Sequence, residues 1–585
     1  MKKLLNIFIC TVLAVSMLSG CSSSTSKEFT AKAKGYKSDV EVKVIMDDTT
    51  ITNVEVLSHE ETDGIGTKAI DALPSLIVDA QSINVDVVGG ATFTSKAIIE
   101  AVSTALTEGG FDLSKYQKEA EDGDDVSLTD ATYDVVVVGA GGAGLAAAIT
   151  AAEEGANVVV IEKTGIIGGN TIRSWAEIAA PNSWLQKEQG IEGDSGEILA
   201  NDMYVGGGKL AKKELLDVIG NNVMDDIYWL KDTIGVEYET YIVHEGGHTF
   251  KRNIDPVGLG SGMITPMADY LKNLGVDIFT NVKGESLITE DGKVVGIEAS
   301  SNNKTVVLTA NNGVVLTTGG FGGNIEMRER YNKRWETLGD TVPTTGSSEN
   351  TGDGIVMAEK IGANLLGMEY VQLYPFNNPV SGTLYGIESP SWSDEGFFYV
   401  NQDGNRFVNE LGLRDPKAEA ILAQDLVLAI YNQKVADNLD LEEKNKDEYA
   451  KALEDGVFFK ADTLDEIADY FGVNAENLKK TLVDYNAVCN EEKEDDFGRT
   501  TSLHAMEEGP WFAMVGVVSV HFTMGGIEID TDARVLNTNG EVIDGLYAAG
   551  ETTGGIHGNN RVGACAIADI LVYGRIAGQS AASDK

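Results

Sequence analysis

"YDVVVVGAGGAGLAAAITAAEEGANVVVIEK", residues 133–163, decides how most of this chain folds. Val135–Val138 is a continuous apolar run of the kind a strand buried on both faces requires. Gly139-x-Gly141-x-x-Gly144 follows at once and turns the chain into an alanine-rich stretch of helical length. A second apolar run, Val158–Ile161, ends on Glu162. Strand, glycine turn, helix and strand make one crossover unit of a parallel sheet. The glycines let the backbone approach a pyrophosphate, which the helix N-terminus favours electrostatically. Glu162, at the end of the second strand, is placed to accept hydrogen bonds from ribose hydroxyls. The reading is a dinucleotide-binding α/β domain. Helices and strands alternate from here to residue 585 without a clear internal repeat.

The rest of the chain is arranged around this unit. At 585 residues it exceeds one ordinary core, so two to four domains are expected. A formal charge of −46 argues against nucleic acid and anionic membrane surfaces as electrostatic partners. An anionic substrate therefore needs locally placed positive charge. The first residues, "MKKLLNIFICTVLAVSMLSGC", carry two lysines, an apolar run too short to span a bilayer, and small residues before Cys21. They read as an export signal over 1–20 and resemble a bacterial lipoprotein signal. That resemblance implies lipidation of Cys21 and anchoring on the outer face of the cell membrane. Cys489 and Cys565 remain in the mature chain, and their spacing leaves a disulfide open. No metal site is expected.

Residues 21–29 read as a polar tether. "DVEVKVIM" (39–46) and "ITNVEVLS" (51–58) alternate apolar and polar on either side of "DDTT", as a hairpin does. Beyond residue 94 the period lengthens: Ala97, Ile98, Ala101, Val102, Ala105 and Leu106 form one helical face. Residues 30–112 are thus a small α+β domain, and 113–130 an acidic linker. By the family resemblance that the later motifs carry, the dinucleotide-binding domain comes in two parts, 131–369 and 506–585, with an α+β capping domain at 370–505 between them.

Several glycine-rich strand ends follow: "IIGGNT" (166–171), "VVLTTGGFGGN" (314–324), "TGDG" (351–354) and "IDGLYAAGETTGG" (543–555). Together with the opening motif they resemble the FAD-dependent fumarate reductase/urocanate reductase flavoprotein family over roughly 133–580. The resemblance implies a Rossmann-type domain holding non-covalent FAD. Its contacts fall on Gly139, Gly141, Ala143, Gly144, Glu162, Asn170, Thr171, Asp353, Phe522, Glu551, Ala566 and Ile567. Three further stretches resemble that family's active site. "NRFVNELGLRD" (405–415) implies Arg414 as the proton donor. "HFTMGG" (521–526) and "HGNNRVGACAIAD" (557–569) imply His521 and Arg561 as the grip on a substrate carboxylate, with Ala564 beside them.

Two departures from the fumarate-reducing pattern stand out. "VQLYPF" (371–376) has Tyr374 where fumarate reductases carry a histidine, and this change resembles the urocanate reductases. A tyrosine offers a ring face and one hydroxyl, not a charge for a second carboxylate. The expected substrate is a conjugated monocarboxylate, urocanate first, with cinnamate-like arylacrylates and fumarate as alternatives. Phe376, Tyr385 and Trp392 could extend an aromatic pocket. In "IESPSWSDEGFF" (387–398) the arginine of the family's proton relay is absent, leaving Glu388, Asp394 and Glu395 as candidates. A ketosteroid-type flavin dehydrogenase and a non-catalytic flavin electron carrier are the readings of other types; a steroid, however, has no carboxylate for His521 and Arg561 to hold.

"DVVGGAT" (86–92) resembles the recognition motif for covalent flavin attachment, with glycine at its Ser/Thr position. "ETDGIGTKA" (61–69) resembles the same FMN-binding domain. The implication is FMN joined through its phosphate to Thr92 by a flavin transferase. FMN would then relay electrons from a membrane donor to FAD in anaerobic respiration.

Overall fold

The computed structural model describes residues 27–35, 38–47, 49–61, 66–83, 85, 92–116, 128–301, 304–385, 395–412, 414–441 and 446–583. The signal segment, Cys21, Asp86–Ala91, Glu388, Trp392 and Asp394 lie outside the described residues.

The N-terminal unit is a three-stranded antiparallel sheet, β1 (Lys27–Lys34), β2 (Asp39–Asp47) and β3 (Thr50–Ser58), with two helices, α1 (Gly66–Ala80) and α2 (Thr92–Glu108). Strand alternation sets its core: Val40, Val42, Val44 and Met46 are buried while their neighbours are not. The six apolar residues of the expected helical face all lie on α2 and are fully buried. The unit is longer at both ends than its sequence predicts. Lys27 already pairs with Met46, and Phe29 packs edge-on against Phe111 at 5.5 Å. Tyr116 is buried, its carbonyl accepts from Ile83 N at 2.6 Å and its hydroxyl donates to Thr49 O at 2.8 Å. Residues 27–29 and 113–116 therefore belong to this core rather than to tether or linker.

The large unit is built on an eight-stranded sheet. β4 (Ala131–Val138) lies between Lys304–Leu316 and β5 (Val158–Ile161), all parallel, with Asp277–Phe279 beyond β5. Strand Val542–Ala548 adds in parallel on the far side of Lys304–Leu316. The helix α3 (Gly142–Glu153) makes the crossover from β4 to β5 and is buried from Gly142 to Ala151. A helix apolar on every side must be covered on every side. Here the sheet covers one face and the C-terminal helix, Cys565–Ser583, covers another. Small residues let these helices nearly touch: a Cβ on Gly578 would stand 2.1 Å from Ala147 O, and one on Gly574 2.7 Å from Ala143 O.

The cap carries an antiparallel sheet in the order Phe397–Asn401, Val427–Asn432, Trp511–Val515, Phe458–Ala461. Its third strand comes from beyond residue 505: Trp511–Val515 lies between Val427–Asn432 and Phe458–Ala461 and pairs with both. Cys489 and Cys565 are both free thiols. None of the described helices is long and apolar enough to cross a membrane.

Candidate active site

A single large cavity runs from the β4–α3 turn to the N-terminus of the C-terminal helix. At one end the chain is bare backbone. Gly139 has φ +106°, which excludes most side chains, and a Cβ on Gly141 would find only Gly168 O, at 3.9 Å. Gly141 caps α3 without any side-chain bond, so the first-turn N–H groups are left for a ligand. Gly144 does not line the cavity. It lies behind the wall, where a Cβ would be 1.9 Å from Gly139 O and 2.7 Å from Thr317 Oγ1. Gly144→Ala should therefore open the turn, at a cost of about 1–3 kcal/mol. The expected result is a lower melting temperature and protein that purifies without yellow colour; a melting temperature and flavin content equal to wild type would contradict this role.

The sequence-assigned cofactor residues Ala143, Glu162, Asn170 and Thr171 line the same cavity. Glu162 is held by Ala140 N at 2.9 Å and Thr164 N at 2.9 Å, which fixes the acid at the strand end. Asp353 accepts from Lys163 Nζ at 2.8 Å. Glu551 is half-buried and accepts from Thr523 N at 3.0 Å and from Asn170 and Asn350, each at 3.2 Å; desolvation pushes its carboxyl up. Phe522, Ala566 and Ile567 close the wall. Bare glycine backbone, an uncapped helix start and an acid on the next strand are the donor and acceptor set an extended dinucleotide needs, so these residues fit FAD.

At the other end the pairing of strands Val371–Asn377 and Val517–Thr523 brings Tyr374 beside His521, ring centroids 5.1 Å apart. The Arg414 guanidinium lies over the Tyr374 ring at 4.7 Å. Arg414 opens the helix Arg414–Leu422, and the segment before it is pinned from behind. Glu410 is fully buried and accepts from Arg406 Nε at 2.8 Å and Arg499 Nη1 at 3.2 Å. Arg561 is buried; its Nε donates to Gln372 Oε1 at 3.2 Å and its Nη1 to Val562 O at 3.3 Å. None of the described residues accepts from its Nη2. Ala564 lines the cavity with φ +60°, a strained left-handed turn that carries the chain into the last helix.

Three basic groups thus crowd one buried spot. Burial and the neighbouring Arg414 lower the Arg561 guanidinium to about 10. Burial, then Arg561 and Arg414, hold the His521 imidazole well below its usual range. Its Nδ1 lies 2.8 Å from Thr345 Oγ1. With that hydroxyl donating, the neutral ring carries its proton on Nε2, the form that donates to a carboxylate. An anion bound here would relieve the mutual repulsion.

Two acids in this cavity are absent from the sequence reading. Ala176, at φ +52°, turns Glu177 into the cavity wall. Glu177 Oε1 is buried with no hydrogen-bond partner among the described residues, and burial, then the charges of Glu245 and Asp255, push this carboxyl up to about 8, with the Asn253 side chain opposing. Glu245 lines the cavity as well, its stem against Gly563. The only sequence signal was an acid inside the apolar run "WAEIAA". Phe376 and Tyr385, by contrast, do not extend the pocket. Phe376 stacks on Tyr399 at 4.6 Å and the Tyr385 hydroxyl donates to Val515 O, so both are core aromatics that anchor the cap.

Comparison with known proteins follows the same division. Residues 134–567 match the FAD binding domain family, and residues 35–107 match the FMN-binding domain family. A urocanate reductase of Eggerthella lenta is 39% identical over 583 residues, which cover 97% of this chain and 94% of that protein. An NADH:acrylate oxidoreductase of Vibrio harveyi is 34% identical, covering 95% of this chain and 61% of that protein. The solved open conformation of a flavocytochrome c3 fumarate reductase superposes with a TM-score of 0.71 at 32% identity, covering 81% of this chain and 84% of that one.

Proposed function

The chain belongs to the FAD-dependent fumarate reductase/urocanate reductase flavoprotein family, as a flavin-dependent reductase of the carbon–carbon double bond of unsaturated carboxylates, and on that premise we propose that its substrate is urocanate, reduced to dihydrourocanate. Such a reduction needs a hydride on one alkene carbon and a proton on the other. What a bound reduced flavin supplies is the hydride. Arg561 and His521 hold the substrate carboxylate, and in doing so stabilise the negative charge that develops on it as the double bond is attacked. Arg414 supplies the proton. Tyr374 gives the conjugated ring a flat face.

The observation that carries urocanate over fumarate is the acid pair in the cavity. A neutral imidazole has one N–H for Glu245 to accept and one bare nitrogen, to which the raised Glu177 carboxyl, protonated near neutral pH, donates. A second carboxylate would meet these two acids and would have to share Arg414, the proton donor, as its cation. A phenyl or vinyl end would leave Glu177 Oε1 unpaired, at about 1–3 kcal/mol.

The small domain is read as the electron entry. Thr92, the first residue of α2, would hold FMN once a flavin transferase attached it, and the bound FMN would supply an entry for electrons from a membrane donor beside a lipid anchor at Cys21. The support is the match to the FMN-binding family and the lipoprotein-like N-terminus.

One experiment tests substrate and relay together. The protein carrying both flavins is reduced with a small dye, and reoxidation is followed on adding urocanate, fumarate, cinnamate or acrylate. Urocanate should be fastest, and Glu177→Leu should narrow its lead over cinnamate by about tenfold to a hundredfold. Fumarate outrunning urocanate would overturn the assignment. Thr92→Ala should keep the dye-driven rate and lose the rate from membranes; an unchanged rate from membranes would remove the relay.

A further inference from the structure

If Arg414 gives a proton to the product at every turnover, something must return it. We propose that Lys417 does so, as a positioning residue that acts on the reaction only through Arg414; the proposal rests on the reading of Arg414 as proton donor. Lys417 lies three residues after Arg414 on the helix Arg414–Leu422. Residues at that spacing share a face, with Cβ atoms about 5–6 Å apart. The same helix packs on strands Val371–Asn377 and Val517–Thr523, which carry Tyr374 and His521.

The polar surroundings of Lys417 are unusual for a structural lysine. Its Nζ donates to the Glu410 carbonyl at 2.9 Å, and no carboxylate of the described residues takes its charge. The Glu410 carboxylate is already shared by Arg406 and Arg499, and Asp495 is taken by Arg406. On its own helix, Asp415 pairs with Arg334 at 2.8 Å, and Glu419 is exposed. Tyr374 and His521 supply no negative charge from the facing strands. Lys417 is half-buried, its ammonium being the enclosed end. Burial and then the like charge of Arg414 lower it to about 8, with Glu410 opposing.

The proton balance closes. Arg414 gives H⁺ to the substrate carbon and becomes a neutral guanidine. The Lys417 ammonium gives H⁺ to that guanidine and becomes an amine, directly or through one water. Water then restores the ammonium. The middle step runs downhill, since a guanidine binds protons far more tightly than an amine whose ammonium is held near 8. An ordinary lysine would release its proton more slowly to the acceptor; one poised near neutral pH both gives and regains it.

The test uses the dye-reduced holoenzyme with urocanate from pH 6 to 10. Wild type should lose kcat as pH rises through about 8. Lys417→Gln keeps a donor for the Glu410 carbonyl but has no titrating proton. It should lose at least about tenfold in kcat at pH 7, show no limb near 8, and bind urocanate with an unchanged Kd, read from the flavin absorbance shift. Lys417→Arg should restore most of the rate and move the limb above 9. A Lys417→Gln enzyme with the limb still near 8 and kcat within twofold of wild type would overturn the proposal. Arg414→Ala in the same assay separates the two claims. If it keeps turnover, the donor reading itself fails; if it is inactive while Lys417→Gln is normal, only the role of Lys417 fails.

Discussion

Arg414→Ala is expected to lower kcat for urocanate by about 10²–10⁴-fold while changing its Kd only a few-fold, measured by steady-state turnover and by flavin absorbance on binding. Turnover falls because no other described residue places an acidic N–H over the Tyr374 ring. Binding persists because Arg414 is one of three basic groups, and its loss relaxes the other two. Arg414 depresses both Arg561 and His521, so without it each holds its proton more firmly. The sign follows: the His521 value rises in the variant, and urocanate binding should tighten as pH falls through that raised value. Equal losses in kcat and in affinity would make Arg414 a binding group instead.

Arg561→Leu should be the more damaging change to affinity, lowering kcat/KM by about 10²–10³-fold or more, since a buried charge pair truncated at one partner loses about 2–5 kcal/mol. His521 rises once Arg561 is gone, but its burial, the largest cause of its lowered value, and Arg414 remain to oppose its charge, so it is a poor replacement. Arg561→Lys should recover part of the loss, since an ammonium supplies the charge without the planar fork. In wild type, KM should rise as pH passes about 10, where Arg561 gives up its proton. A KM flat to pH 11, or an Arg561→Leu enzyme with wild-type affinity, would show that the carboxylate is held elsewhere.

How much of this was legible in the sequence depends on whether a residue belongs to a local pattern. The β4–α3–β5 unit was readable because three glycines, a valine run and Glu162 lie within 30 residues and each has a backbone reason to be there. Arg414, His521 and Arg561 were readable only through resemblance, because strand pairing and the last helix bring them together from positions nearly 150 residues apart. Glu177 was not readable. A left-handed turn at Ala176 aims it, and no sequence rule asks for such a turn at an alanine. Lys417, in "RDPKAEA", has the composition of a solvated helix, and only the tertiary use of Glu410 by two arginines leaves it without an acid. Phe376 and Tyr385 failed in the opposite direction: closeness in sequence to Tyr374 did not bring them to the cavity.

The Gly–Ala seam between α3 and the C-terminal helix bears on how the cavity is closed. One wall of the cavity is made at residues 139–143, another at 561–570. In chain order the second wall comes some four hundred residues after the first. Without it, the face of α3 that Gly574 and Gly578 let the last helix approach lacks that neighbour. The cavity is in this sense closed by contacts of very long sequence separation, and the glycine turn taken by itself is half a binding site beside an open seam.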